Sequence, residues 1–377
     1  MIERARGPGR LAAAWDMLAL VGRGGPAVCN IAVTTACNAA CGFCGYARDR
    51  EVAGGRIRAD AGRVCRGLET LWRRGVRYVT FTGGEPTLHP DLPAMIARAR
   101  GLGMRASVVS NGATLRPEMV ARLADAGLGT MFLSIDAPDA AAHEAHRGLP
   151  GVAARIRAAC GLLKARGVKT VASVTLSRLV ADDLGRLAGF LAGLGFATVT
   201  FSYPKTVQGS SSLVFSGESP QIDFSPDELA AAFERVRDFK RRFPVLNPDA
   251  ALAEMIRHLG GQPERFPCLG GGKYFYVDAD LMVWRCDAWP TPIAPLEAFG
   301  EAPEIRDGCT RCMSDCYRDA SVFLHFPMAL GDAVAALRRG RPLGALGALA
   351  TRSCRESVAA LLVEWRTLRA LAGRKFE

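Results

Sequence analysis

The sequence predicts an α/β protein whose strands run parallel. Six short β-branched runs recur along the first 203 residues: 28–34, 76–82, 104–110, 130–135, 168–176 and 197–203. A stretch with apolar spacing near 3.6 follows each of the first five, as in LPAMIARARGLG and VAARIRAACGLLKARG. Strands alternating with helices imply crossover connections, and hence a parallel sheet. The composition suits a packed core: 49% hydrophobic and 23% charged over 377 residues is ordinary globular usage, far from that of a disordered chain.

The first run, VCNIAVT, leads into a cysteine-rich loop. The second, VRYVTFT, ends in TGGEP. The third and fourth end in Ser110-Asn111-Gly112 and Ser134-Ile135-Asp136, the fifth carries Ser173 and Thr175, and the sixth reaches the helical FSPDELAAAFERVRDFKRRF after a longer loop. Ser/Gly/Pro-rich breaks are expected at 203–225 and at about 243–267. Beyond them come two strand-like pieces, KYFYVD and LMVWRC, a second cysteine-rich loop, and a helical tail. The expected division is an N-terminal extension (1–27), a first domain (28–242), a cysteine-rich domain (243–320) and the tail (321–377). Six βα units fall short of the eight that close a TIM barrel, so periodicity alone allows an open partial barrel or a doubly wound sheet.

No run of about 20 uninterrupted apolar residues occurs, and the N-terminus lacks the apolar core of a signal peptide, which leads to an expected cytoplasmic location. In such a chain the 12 cysteines read as metal ligands rather than disulfides. The formal charge of +11 could attract nucleic acid, an anionic membrane or an acidic substrate, but the arginines are spread through helices rather than gathered in one tract.

Cys37, Cys41 and Cys44 stand in TTACNAACGFCGYA with C-x-x-x-C-x-x-C spacing. Three thiolates can hold a 4Fe-4S cluster with one iron open, whereas structural zinc takes four ligands. A zinc knuckle completed by Cys29 or Cys65 is the alternative. With Phe43 before its last cysteine, the segment resembles the cluster loop of the radical S-adenosylmethionine (SAM) superfamily. The resemblance implies a partial (β/α)6 TIM-like barrel over about 28–205. It implies SAM chelated at the open iron and cleaved by one electron to a 5′-deoxyadenosyl radical. A reducing partner such as flavodoxin or ferredoxin would supply that electron.

TGGEP resembles the family's motif for the SAM amino group: Gly83 and Gly84 permit close backbone approach, and Glu85 offers a carboxylate to an ammonium. By the same resemblance Asn111, Ser134 and Ser173 contact other parts of SAM, although turn and helix capping explain each as well. Arg147 resembles a basic residue near the cofactor that could clamp its carboxylate, the alternative being a solvated arginine at a helix start. His143 and His146, in the same polar loop, read as exposed and receive no role.

Cys268 and Cys286 bracket the expected hairpin, and Cys309, Cys312 and Cys316 follow in GCTRCMSDCYRD. This order resembles the SPASM and twitch extensions of the superfamily, which hold auxiliary 4Fe-4S clusters. The resemblance implies about seven cysteines for the two clusters of a full SPASM domain, so five imply one auxiliary cluster. The preferred ligands are Cys268, Cys286, Cys309 and Cys312, with Cys316 in place of one of the last two as the variant; which four ligate stays open, and so does structural zinc. Leu281 stands where the resemblance expects glycine. Cys29, Cys65, Cys160 and Cys354 read as small core residues.

In the tail, large apolar residues flank RRGRP, which suits either helices packed on the barrel or peripheral contact with a membrane surface. The leading functional reading is hydrogen abstraction from a small biosynthetic molecule, a class that includes hydrophobic and lipid-like ones. A peptide-modifying maturase ranks second, because only about 27 residues precede the first strand, too few for a leader-binding domain. A non-catalytic metal-stabilised nucleic-acid binder ranks last, since no nucleic-acid module is recognised.

Overall fold

The computed structural model describes residues 10–48, 55–204, 219–286 and 288–365. The six expected strands form at the expected places: β1 (Ala27–Thr34), β2 (Val76–Gly83), β3 (Arg105–Ser110), β4 (Thr130–Ile135), β5 (Lys169–Thr175) and β6 (Val199–Ser202). They lie in chain order and pair in parallel throughout. Helix α1 (Arg10–Val21) precedes the sheet. Between strands come α2 (Ala61–Arg73), α3 (Leu92–Gly101), α4 (Pro117–Asp125), α5 (Ala140–Arg147), α6 (Val152–Ala165), α7 (Arg178–Ala181) and α8 (Leu184–Leu194). The result is the partial (β/α)6 barrel rather than a doubly wound sheet, because each new strand adds beside its predecessor instead of reversing across the first.

One core runs through this body. Ile31, Val79, Phe81, Val108, Leu133 and Phe201 project from the strands, and Leu68, Met95, Ile156 and Leu187 meet them from the helices. Asp60 caps α2 by accepting from Arg63 N at 2.7 Å, and Ser225 forms a capping box with Glu228 at the start of α9 (Pro226–Phe239).

The expected break at 243–267 instead contains α10 (Asp249–Leu259). DAALAEMIRHL buries Ala251, Leu252 and Met255 on one face and starts directly after Pro248, so local amphipathicity prevails over the surrounding loop-forming residues. Most of the expected 203–225 crossing lies outside the described residues.

The cysteine-rich segment does not stand apart from the barrel sheet. Its β7 (Tyr274–Val277) pairs in parallel with β1, matching Val28 to Tyr274, and β8 (Met282–Trp284) and β9 (Ala294–Pro295) extend the sheet antiparallel to nine strands. Leu281, at the turn before β8, has φ +64°, a backbone state that favours glycine. The hairpin thus keeps the backbone a glycine would give, and burial of the leucine side chain offsets the strain.

The tail forms α11 (Asp315–Arg338), α12 (Pro342–Leu349) and α13 (Arg352–Val363). Helix α11 presses on the turn after α1: a Cβ on Gly331 would lie 2.4 Å from Gly24 N, and one on Gly25 2.9 Å from the Pro327 side chain. Packing on the body is therefore established for α11, while Leu343, Leu346 and Leu362 stay exposed. By length and composition α11 could cross a membrane, but Val322, Leu324, Met328 and Ala333 are buried within the protein.

Candidate active site

The C-terminal ends of β1 to β6 surround one cavity, about 1250 Å³ of atom-free space that is partly open to solvent. Cys37, Cys41, Phe43 and Cys44 line it, together with Gly83, Gly84, Glu85, Asn111, Ser134, Arg147 and Ser173. Every residue expected at the SAM site therefore meets in one place, where a barrel of this kind builds its site.

The cysteine loop is held by backbone contacts to three neighbours. Gly84 N donates to Thr34 O and Glu85 N to Ala36 O, both at 2.8 Å, which docks the end of β2 on the start of the loop. A Cβ on Gly83 would sit 2.2 Å from Thr34 O and one on Gly84 2.2 Å from Ala36 O. The close approach anticipated for these glycines is thus to the chain's own cysteine loop. Ala40 N donates to Arg147 O at 2.8 Å, fastening the loop to the end of α5. Arg56, which carries no motif in the sequence, donates to the carbonyls of Thr35, Tyr46, Ala47 and Arg48 at 2.9 to 3.1 Å.

Glu85 is buried and already engaged. Its Oε1 accepts from Ser110 Oγ at 2.8 Å and Thr87 N at 3.1 Å, its Oε2 from Asn111 N at 2.7 Å, and Thr87 Oγ1 also donates to Oε1. Burial raises its pKa above the ordinary carboxylate range. Its geometry makes it the clasp between β2 and the end of β3. Asn111 donates through Nδ2 to Asn38 Oδ1 at 2.7 Å, which brings it over the loop.

Arg147 ends α5 rather than starting a helix, and it is buried rather than solvated. Its Nη2 lies 2.9 Å from Asp136 Oδ1 and its Nε 2.7 Å from Oδ2, so the guanidinium fork already holds a carboxylate from the chain itself. Burial would raise the Asp136 pKa, but the Arg147 charge outweighs it and holds the carboxyl ionised. The two histidines also depart from the expected exposure. His143 is fully buried and accepts from Asp136 N at 3.2 Å, and burial, aided by Arg147, pushes its pKa down to about 4, leaving it neutral at pH 7. His146 packs on Phe43 with ring centroids 4.9 Å apart, and the ligand atoms of Cys41, Asp136 and His146 lie within 4.8 Å of one another. The i, i+3, i+4 spacing of residues 143, 146 and 147 places all three on one helical face, a signal the polar composition of the loop obscures.

Burial pushes the Cys37 thiol up and the Cys41 thiol up to about 12, while the Arg147 charge pulls both back. Two desolvated thiols beside a fixed cation, with Cys44 coupled to Cys41, favour thiolate only when metal supplies the remaining positive charge. That donor set fits an iron–sulfur cluster held by three sulfurs.

A second sulfur group lies beside β7 and β8. Cys268 N donates to Cys309 O at 2.8 Å, and Cys268 Sγ accepts from Gly270 N at 3.3 Å. Arg285 grips Asp307 at 2.6 and 2.7 Å, tying the residue before Cys286 to the Cys309 loop. Arg318 donates to Cys312 O at 2.8 Å and Phe266 O at 2.6 Å, and pairs with Glu264, joining the Cys312 and Cys268 loops. Cys316 instead lines the main cavity, with Asp315 and Tyr317.

Residues 31–191 match the family model of the radical SAM superfamily. That segment is a radical SAM domain. Its matched relatives include an AdoMet-dependent heme synthase of Nitratidesulfovibrio vulgaris, 32% identical over 39% of this chain and 39% of that one. They also include a PqqA peptide cyclase of Xanthomonas campestris pv. campestris, 29% identical over 69% of this chain and 65% of the relative. The matches thus span less than two thirds of these relatives' lengths. Streptococcus suis SuiB shares the fold with a TM-score of 0.56, at 17% identity over 73% of this chain and 64% of that one. Members of the superfamily bind SAM and a 4Fe-4S cluster, and its SPASM-type members carry auxiliary clusters.

Proposed function

We propose that the chain reductively cleaves SAM and uses the product radical to abstract hydrogen from a small biosynthetic molecule bound in the main cavity. The observation that carries this reading is the convergence of Cys37, Cys41 and Cys44 with Glu85, Asn111, Ser134 and Ser173 on one cavity at the strand ends. Bound there, the cluster and SAM supply a 5′-deoxyadenosyl radical.

In this assignment Cys37, Cys41 and Cys44 hold the cluster and leave one iron for SAM. The Gly83–Gly84 backbone and the Glu85 clasp form the wall for the SAM amino group, and Asn111, Ser134 and Ser173 present short polar side chains to its other polar parts. Phe43, packed against His146, supplies apolar surface beside the cysteines that would hold the cluster. Arg147 acts through its positive field on Cys41 and Cys37 rather than as a free carboxylate clamp, because Asp136 occupies its fork.

Cys268, Cys286, Cys309 and Cys312 are the assigned ligands of the auxiliary cluster. The 243–320 region is read as its twitch-like domain, joined to the 28–242 barrel through the β1 and β7 pairing. With four protein ligands this cluster has no open iron for substrate, so its role is electron transfer or shaping the pocket. A low-potential donor of the flavodoxin or ferredoxin class would supply electrons.

Aromatic residues Phe43, Tyr46, Tyr276 and Tyr317 give the cavity apolar surface suited to a small, partly hydrophobic molecule. A second reading, modification of a peptide, is favoured by the length of the match to a PqqA peptide cyclase. Deuterium-labelled small-molecule candidates and precursor peptides, each incubated with enzyme, SAM and reductant, separate the two. The preferred reading requires deuterium in 5′-deoxyadenosine from a small molecule, and transfer only from peptides would replace it. Cys286→Ala is expected to retain SAM cleavage while turnover of the substrate so identified falls by about tenfold or more, the scale of a lost metal-site support. Loss of both together would indicate that the two sulfur groups are not separate centres.

A further inference from the structure

The fifth cysteine of the C-terminal group sits in a different environment from the other four. Cys316 lies in the first turn of α11 and is exposed, whereas Cys268, Cys286, Cys309 and Cys312 are half-buried. Cys268 has Cys309 and Cys312 as electrostatic neighbours, and Arg285 has Cys309 and Cys286. The field of Cys316 falls on Tyr274. Its side chain forms part of the same cavity wall as Cys37, Cys41 and Cys44. The α11 turn that bears it is anchored at the strand ends: Asp315 Oδ1 accepts from Tyr203 N at 2.9 Å, and the Tyr317 ring packs on Tyr274 with centroids 4.4 Å apart. The Cys316 thiol points its hydrogen toward Asp315 Oδ2, with sulfur and oxygen 3.7 Å apart.

We propose that Cys316 is a catalytic thiol of the main cavity, not an auxiliary-cluster ligand, and that it gives its hydrogen atom to a carbon-centred radical held there. The inference rests on the radical SAM reading of that cavity. In the step the Cys316 S–H bond breaks homolytically, a C–H bond forms and a sulfur-centred radical remains. Because an S–H bond is weaker than an alkyl C–H bond, the transfer runs downhill. The thiol is restored by one electron from the low-potential donor and one proton from solvent, relayed to sulfur through the neighbouring Asp315 carboxyl group. Such a residue lets a cavity quench a product radical from a defined wall instead of leaving it to solvent.

The test needs no identified substrate. The full chain, reconstituted anaerobically and freed of added thiols, is given SAM and dithionite in D2O, and the 5′-deoxyadenosine formed is analysed by mass spectrometry. The unsubstituted protein is expected to yield singly deuterated 5′-deoxyadenosine, with Cys316→Ala and Cys316→Ser losing that deuterium while keeping the iron and sulfide content of the parent. Iodoacetamide on the parent holoenzyme provides a readout independent of folding in the variants: Cys316 is modified while Cys268, Cys286, Cys309 and Cys312 are protected. Unchanged deuteration in the variants, loss of a cluster's worth of iron on substitution, or protection of Cys316 from alkylation would each overturn the proposal. A parent protein that assembles clusters but forms no 5′-deoxyadenosine at all would instead overturn the radical SAM reading beneath it.

Discussion

Cys41→Ala is expected to reduce SAM cleavage to the level of a protein-free control. Cys41 sits mid-loop, buried, with its sulfur flanked by Asp136 and His146. On the proposed assignment, losing one of three sulfurs would leave two donors, too few to retain the cluster. Among the described residues no nearby group offers an equivalent replacement: Asp136 is committed to Arg147, and His146 is packed against Phe43. Quantifying 5′-deoxyadenosine, with iron analysis alongside, measures the effect. Parent-level cleavage by the variant would remove Cys41 from the cofactor site.

Asp136→Asn carries the largest expected cost in stability. The substitution preserves shape but leaves the Arg147 guanidinium buried without its countercharge, a situation that costs about 3 to 5 kcal/mol. Asp136 and Arg147 are both buried, so solvent does little to screen the loss. The effect should spread to the cysteine loop, because Ala40 N depends on the Arg147 carbonyl. Anaerobic urea denaturation of the holoenzyme reads the loss. Adding Arg147→Met to Asp136→Asn should recover part of it, since the double variant buries no unpaired charge. Equal or additive losses in the double variant would show that the pair does not act as a unit.

The parallel sheet was legible in the sequence because buried strands announce themselves as continuous β-branched runs, and the six forecast strands lie within a few residues of β1 to β6. Helix α10 was hidden by the proline and glycine residues on either side of its apolar stripe. The pairing of β7 with β1 had no local signal at all, since it joins residues some 246 positions apart, as in Val28 with Tyr274. At the site, the C-x-x-x-C-x-x-C spacing and TGGEP pointed to the cavity because loop ligands must be close in sequence. Arg56, Asp136 and Arg285 support the sulfur loops through contacts between distant elements or to backbone carbonyls, which no spacing rule records. His143 and His146 looked solvated among polar neighbours, yet their helical face turns inward beneath the cluster loop.

The most direct test is electron paramagnetic resonance of the reduced, anaerobically reconstituted protein before and after SAM is added, using the Cys268→Ala, Cys286→Ala variant to silence the auxiliary signal. A three-thiolate cluster with an accessible iron predicts that the remaining signal changes its g values when SAM binds. An unchanged spectrum, or a site filled by zinc with no signal to perturb, would contradict it.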